Sequence, residues 1–286
     1  MKQISTDLEN ILQSVQLRED EYLDEESKLI YCNRCRTPRQ KRFEMTGKLF
    51  EPRCMCACQT AAYEQRERER KQREFMETVA KNRSVGLPDL ELRKYTFDND
   101  LGYNPKQINM AKRFVENWDE FRRDSMGLLL WGNVGTGKSY IAGCIANALL
   151  EQAIPVLMTN FSKILNQMGA MYSEERYQYI ASFNHYSLLI IDDLGIERST
   201  EYAKEQVYAV IDERYKANLP LIITTNLTIG EIRNPDNVAD ARIYSRVLEM
   251  CTPVQVGGSD RRRAVSRDKQ EMVKDVLFSG KGGETV

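Results

Sequence analysis

Residues 131–140 read WGNVGTGKSY, and within them Gly132 to Ser139 fits the pattern Gly-x-x-x-x-Gly-Lys-Ser. Glycines so placed let the backbone curl until successive N–H groups face one point, and a helix starting there adds its positive end. A lysine at the seventh position reaches the outer phosphates of a nucleoside triphosphate, and the serine hydroxyl ligates magnesium. The spacing therefore predicts an ATP and Mg2+ site drawn from Gly132, Asn133, Val134, Gly135, Thr136, Gly137, Lys138, Ser139 and Tyr140. Such a loop works only between a strand and a helix. The flanks supply both, GLLLW before it and SYIAGCIANALLEQ after it.

Outward from the loop, short apolar runs alternate with helical stretches. GLLLW, IPVLMT, SLLIID, LPLIITT and TPVQV are each too short for a helix and mostly rich in Val, Ile and Leu. Continuous apolar runs separated by helices predict an α/β domain with a five-stranded parallel sheet covered on both faces. SLLIIDDLG ends in Asp192 and Asp193, two carboxylates at the C-terminal edge of a buried strand, where open α/β sheets bind ligands. Asp192 is expected to hold Mg2+ through water and Asp193 to polarise the attacking water. Asn226, closing LIITTN, is placed to orient that water, with a plain turn residue as the alternative.

The rest of the chain is organised around that domain. A net charge of -1 gives no global basicity, so any nucleic-acid contact must come from a local patch. The opening MKQISTDLENILQSVQL lacks the apolar core of a signal peptide, and no run reaches the length of a membrane span. A cytoplasmic chain is expected, where disulfides are not maintained. Five of the seven cysteines crowd into residues 32–58, and in that compartment Cys-x-x-Cys followed by Cys-x-Cys-x-Cys reads as a Zn2+ site. Cys32 and Cys35 form one pair, and the other comes from Cys54, Cys56 and Cys58. Cys144, Cys251 and the single histidine, His185, are expected to be structural. QTAAYEQRERERKQREFMETVAKNR reads as an exposed charged helix, with Glu64/Arg68, Glu67/Lys71 and Glu69/Arg73 spaced for ion pairs. The expected domains are a zinc-ribbon-like module at 1–60, a helical linker at 61–87 and the α/β domain at 88–286.

The order GNVGTGKS, LLIIDDLG, LIITTN, IYSRV and GGSDRRR resembles the AAA+ P-loop NTPases, and within them the replicative helicase loaders of the DnaC and DnaI type, over roughly residues 88 to 265. The cysteine cluster is similar to the zinc-binding helicase-interaction domain of such loaders. The resemblance implies that Arg246 is an arginine finger for a neighbouring subunit and Arg261 a second sensor. It implies a hexameric replicative helicase, single-stranded DNA and further copies of the chain as partners, and no membrane. Two features bear on it: Asp193 stands where the family commonly has Glu, one methylene longer, and the stretch after the last strand is too short for a separate helical lid, as in loaders. An IstB-type transposition helper and a zinc-dependent nucleic-acid-binding nucleotide switch are the alternatives. The family places DNA-contacting helices where NFSKILNQMGAMYSEERYQYIASFNHYS stands here. Tyr172, Tyr177, Tyr179, Phe183 and Tyr186 with Lys163 and Arg176 either stack on bases and meet phosphates or belong to the core. LRKYTFDND, ahead of the first helix of the domain, is the expected wall of an adenine pocket.

Overall fold

The computed structural model describes residues 17–195 and 200–258 and, beyond these, only 270, 273, 274 and 277. It divides into two compact units, Met1–Met76 and Glu77–Val286. Helix α1, Ala57–Gly86, crosses both that division and the 60/61 boundary expected from composition. Its dense helix formers begin at the last cysteines, and Gly86 with Pro88 ends it. The ion pairs within it converge on Arg70, to Glu67 at 2.7 Å and Glu74 at 3.0 Å, rather than on the three expected pairs. Glu67 is taken by Arg70 through two hydrogen bonds three residues away.

In the first unit, β1 (Glu21–Leu23) pairs antiparallel with β2 (Ile30–Cys32), and β3 (Phe43–Met45) with β4 (Lys48–Phe50). Thr46 and Gly47 join the second pair with φ of 53° and 74°, the two positive values that a two-residue hairpin turn needs. Arg39 is buried against Asp20 and Glu21, and Arg53 meets the same Glu21 at 3.0 Å. A unit of this size has little apolar core, so polar ties and the cysteines carry much of its order.

The second unit contains α2 (Pro105–Glu116), α3 (Trp118–Arg123), β5 (Gly127–Trp131), α4 (Lys138–Glu151), β6 (Val156–Asn160), α5 (Phe161–Met168), α6 (Ser173–Ser182) and β7 (Leu188–Leu194). It continues with α7 (Glu201–Lys216), β8 (Leu221–Thr225), α8 (Ile229–Arg233), α9 (Val238–Met250) and β9 (Cys251–Gln255). The five strands form one parallel sheet in the order β6-β7-β8-β5-β9. Side chains alternate between two apolar layers. Leu128, Leu130, Ile190 and Ile222 pack on Phe114, Ile141 and Ile145, while Leu129, Ile191 and Ile223 pack on Phe161, Val207 and Val247. Each such buried side chain stabilises the fold by about 1.5–3 kcal/mol, which is why these strands read as unbroken apolar runs.

Side-chain caps start α5, α7, α8 and α9: Asn160, Thr200, Thr228 and Asn237 each accept from a backbone N–H in the first turn. Cys144 and Cys251 are buried, the burial pushing the Cys251 thiol up. Arg214, fully buried, donates to the carbonyls of Phe183, Tyr186, Ser187 and Pro220, tying together the segments that enter β7 and β8. Burial, helped by Arg122, lowers its pKa to about 9, still charged at neutral pH. No helix among the described residues is long and apolar enough to cross a membrane.

Candidate functional site

The loop after β5 is shaped by close backbone approach. Gly132 adopts φ 148°, and a Cβ there would lie 2.3 Å from the Val256 carbonyl oxygen, so no larger residue fits. Gly137, at φ 99°, is the left-handed cap from which α4 starts. Asn104 buries its amide against the loop, donating from Nδ2 to the Thr136 carbonyl at 2.8 Å, and Thr136 Oγ1 donates to Asn133 O at 2.9 Å. The loop is thus pinned from both sides.

Lys138 is buried and its Nζ donates to Gly132 O at 2.9 Å, Asn133 O at 2.8 Å and Asn226 Oδ1 at 2.8 Å. The ammonium sits at the loop's centre, and the Asn226 amide holds it. Ser139 Oγ lies 2.8 Å from Asp192 Oδ1, bringing together two hard oxygen donors of the kind Mg2+ takes. Thr224 Oγ1 donates to the same Asp192 oxygen at 2.6 Å and accepts from the Asp193 N–H at 2.9 Å. The pairing of β7 with β8 shifts register between Ile191 and Leu194, and Asp193 takes φ 61°. Such an irregularity re-aims side chains beside a site.

Tyr140 turns its hydroxyl away from this centre, donating to Thr96 O at 2.8 Å while its ring meets Tyr95 at 5.2 Å. A Cβ at Gly143 would meet the Tyr95 ring at 2.7 Å, so that glycine lets the 92–100 segment lie against α4. Val134 is exposed at the loop's tip.

Arg246 lies apart, on α9. Its guanidinium stacks 3.9 Å from the Tyr215 ring centre and reaches Asp212 at 3.4 Å and Glu249 at 3.7 Å. It is engaged by carboxylates of its own chain, the nearer of them, Asp212, buried. Arg261 lies outside the described residues. Of the aromatic set, Phe183 is core with Tyr179 edge-on at 4.9 Å, Tyr186 is half-buried, and Tyr172 and Tyr177 are exposed. Arg176 donates to the Tyr202 hydroxyl at 2.9 Å. His185 caps the end of α6, its Nδ1 2.9 Å from Ser182 O.

In the first unit, the Sγ atoms of Cys32, Cys35, Cys56 and Cys58 all lie within 4.8 Å of one another. Tetrahedral thiolates on one Zn2+ stand about 3.8 Å apart; Cys32 and Cys58 are 3.7 Å apart and Cys56 and Cys58 3.3 Å. Cys54 points elsewhere, donating to Pro38 O at 3.7 Å. The Thr37 hydroxyl, 3.1 Å away, brings the Cys35 thiol down to about 5, while its sulfur neighbours Cys56 and Cys35 push Cys58 up to about 12. One thiol ionises readily and the next resists. A bound cation removes that conflict, so the donor set suits a metal.

Thr224, Asn104, Thr37 and Arg39 escaped the sequence reading. Their signals were weak: a Thr-Thr pair at a strand end, an Asn-Pro step, and a basic residue between cysteines.

The chain is similar to known proteins over part of its length. It is 25% identical over 176 residues to the replicative helicase loader DnaI of Bacillus subtilis, covering 56% of this chain and 55% of that protein. It is 28% identical over 130 residues to the replicative helicase loader DnaC of Escherichia coli, covering 44% of this chain and 51% of that one. The chain thus spans about half the length of these relatives. A putative insertion sequence ATP-binding protein of Sinorhizobium fredii is 26% identical over 196 residues, covering 67% of this chain and 64% of the relative. The crystal structure of DnaI superposes with TM-score 0.51 at 26% identity, covering 61% of this chain and 94% of that one. The family described as IstB-like ATP binding protein matches residues 61–269, which include every element of the loop, acid and sheet geometry above. The chain therefore belongs to the IstB-like ATP-binding proteins, with an AAA+ fold and a cysteine cluster that can hold a metal.

Proposed function

We propose that the chain is an ATP-hydrolysing loader that delivers a hexameric replicative helicase onto single-stranded DNA. One observation carries this reading: a four-thiol module precedes a P-loop unit whose relatives are named helicase loaders. Zinc is the ion that four cysteine thiolates favour, and the module it holds is the part that docks on the helicase.

In the P-loop unit, ATP phosphates take Lys138 from its present acceptors, and Ser139 and Asp192 hold Mg2+. The ion, when bound, screens charge on the phosphates. Asp193 polarises the attacking water, and Asn226, released from Lys138, orients it. The short reach of an aspartate makes turnover slow. Arg246 leaves Asp212 and Tyr215 to meet the γ-phosphate of a neighbouring copy, and Arg261 serves as the second sensor. Exposed Tyr172 and Tyr177, with Lys163 and Arg176, receive single-stranded DNA.

The test is binding and turnover together. The full chain should co-purify with the replicative helicase of the organism that encodes it, and single-stranded DNA should raise its ATP hydrolysis. A second reading, a transposition helper, draws on the insertion-sequence relative that covers 67% of the chain. Capture of the cognate transposase with no hold on the helicase would establish that reading instead. Nucleotide binding without measurable turnover would leave a nucleotide switch.

A further inference from the structure

The hairpin β3–β4 exposes what small domains ordinarily bury. Phe43 is 47% exposed, Met45 56%, Leu49 62% and Phe50 38%. Phe43, Met45 and Phe50 share one face, contiguous apolar surface of a kind that marks an interaction site, and a two-stranded ribbon gains little stability from it when left in water.

The register sorts the surroundings. Phe43 stands opposite Phe50 and Met45 opposite Lys48, and the Lys41 N–H donates to Pro52 O at 3.1 Å, so the pairing continues past the strand ends. Alternation then puts Lys41, Phe43, Met45, Lys48 and Phe50 on one face with no acid among them. The other face holds the Arg42–Glu51 ion pair at 2.7 Å and Glu44 opposite Leu49. Residues 36–53 carry six basic residues against two acids, in a chain whose net charge is -1.

We infer that the Lys41–Phe43–Met45–Lys48–Phe50 face is the surface by which the module grips its protein partner, and that the partner offers an apolar groove rimmed by acids. The inference rests on the helicase-loader reading and names the docking surface within it. A protein groove fits better than a nucleic acid. The two phenyl rings already lie against each other, 5.8 Å apart and 17° from parallel, and Met45 beside them has no π-face for a base. The patch calls for apolar burial. Its two lysines select an acidic rim and exclude a basic one.

The experiment uses the full chain and the purified replicative helicase. The double variant Phe43→Ser/Phe50→Ser should weaken helicase binding at least thirtyfold, as loss of a central aromatic anchor does, with metal content and nucleotide binding unchanged. Lys41→Glu/Lys48→Glu leaves the apolar residues in place, so it addresses the charge without risk to the hairpin. It should weaken binding about tenfold at low salt and less at high salt. If wild type binds the helicase and both variants bind equally well, the surface assignment is wrong while the loader reading stands. A wild-type chain that does not bind the helicase overturns both. Loss of oligonucleotide binding in the phenylalanine variant, with helicase binding intact, would assign the face to single-stranded DNA and overturn the inference. So would loss of self-association alone, which would make the occupant a second copy.

Discussion

At Asp193, chemistry and backbone conformation compete. Its φ of 61° lies in the left-handed region, which costs a non-glycine residue about 1 kcal/mol or more, though Asp and Asn tolerate it better than most. The Thr224 hydroxyl holds that conformation by accepting from the Asp193 N–H. Asparagine keeps the shape and loses the charge. Asp193→Asn should therefore bind ATP within a few-fold of wild type and unfold at the same temperature, yet hydrolyse at least about a hundredfold more slowly, since a positioned base is worth that much. Steady-state turnover beside a melting curve checks both halves, and an Asn variant with full turnover would remove Asp193 from the chemistry.

Arg214 shows how strands are joined at the end of the sheet away from the nucleotide loop. One guanidinium donates to four carbonyls, two of which, Phe183 O and Pro220 O, also accept from the N–H groups of Tyr186 and Leu189. Arg214→Met retains much of the apolar stem and takes a buried charged donor from all four acceptors, so it should cost about 3 kcal/mol or more, read as a lower denaturant midpoint. An unchanged midpoint would mean that water replaces the guanidinium at no cost. This residue also marks the limit of sequence reading. The strands, the loop and the paired acids are legible because each depends on local spacing: four or five apolar residues, a fixed glycine interval, a run ending in Asp-Asp. Thr224 reaches Asp192 only because β7 and β8 are neighbours with a register shift, and Asn104 reaches Thr136 only through the fold. The choice of Cys56 and Cys58 over Cys54 likewise depends on which sulfurs the β2 turn faces, not on spacing. Arg246 sits in a legible motif, but its neighbours Asp212 and Tyr215 come from another helix.

For the whole molecule, the two units should answer to different perturbations. Stripping the metal with a chelator should unfold the cysteine module and leave nucleotide binding intact, because cluster and loop belong to separate units. Metal analysis, far-UV circular dichroism and nucleotide titration of one sample decide it; a folded, metal-free module would refute the cluster's role. Assembly has its own test. Arg246→Ala should bind ATP normally and hydrolyse it poorly, by a factor of about a thousand if the finger acts in trans. Lys138→Ala lacks a working pocket but keeps the finger, so mixing the two should restore part of the activity. A mixture as inactive as its parts would return Arg246 to its ion pairs with Asp212 and Glu249. The sheet order carries a consequence for synthesis. Strand β5, which bears the nucleotide loop, lies between β8 and β9, both delivered by the ribosome long after it, whereas the four cysteines are all made by residue 58. Translation at about 5–20 residues per second therefore leaves an interval of roughly ten to forty seconds in which the emerging chain has its cysteine module and no complete nucleotide site. Chains arrested before Cys251 should hold metal and bind no ATP, so in a nascent chain the cysteine cluster can be filled before the loop can.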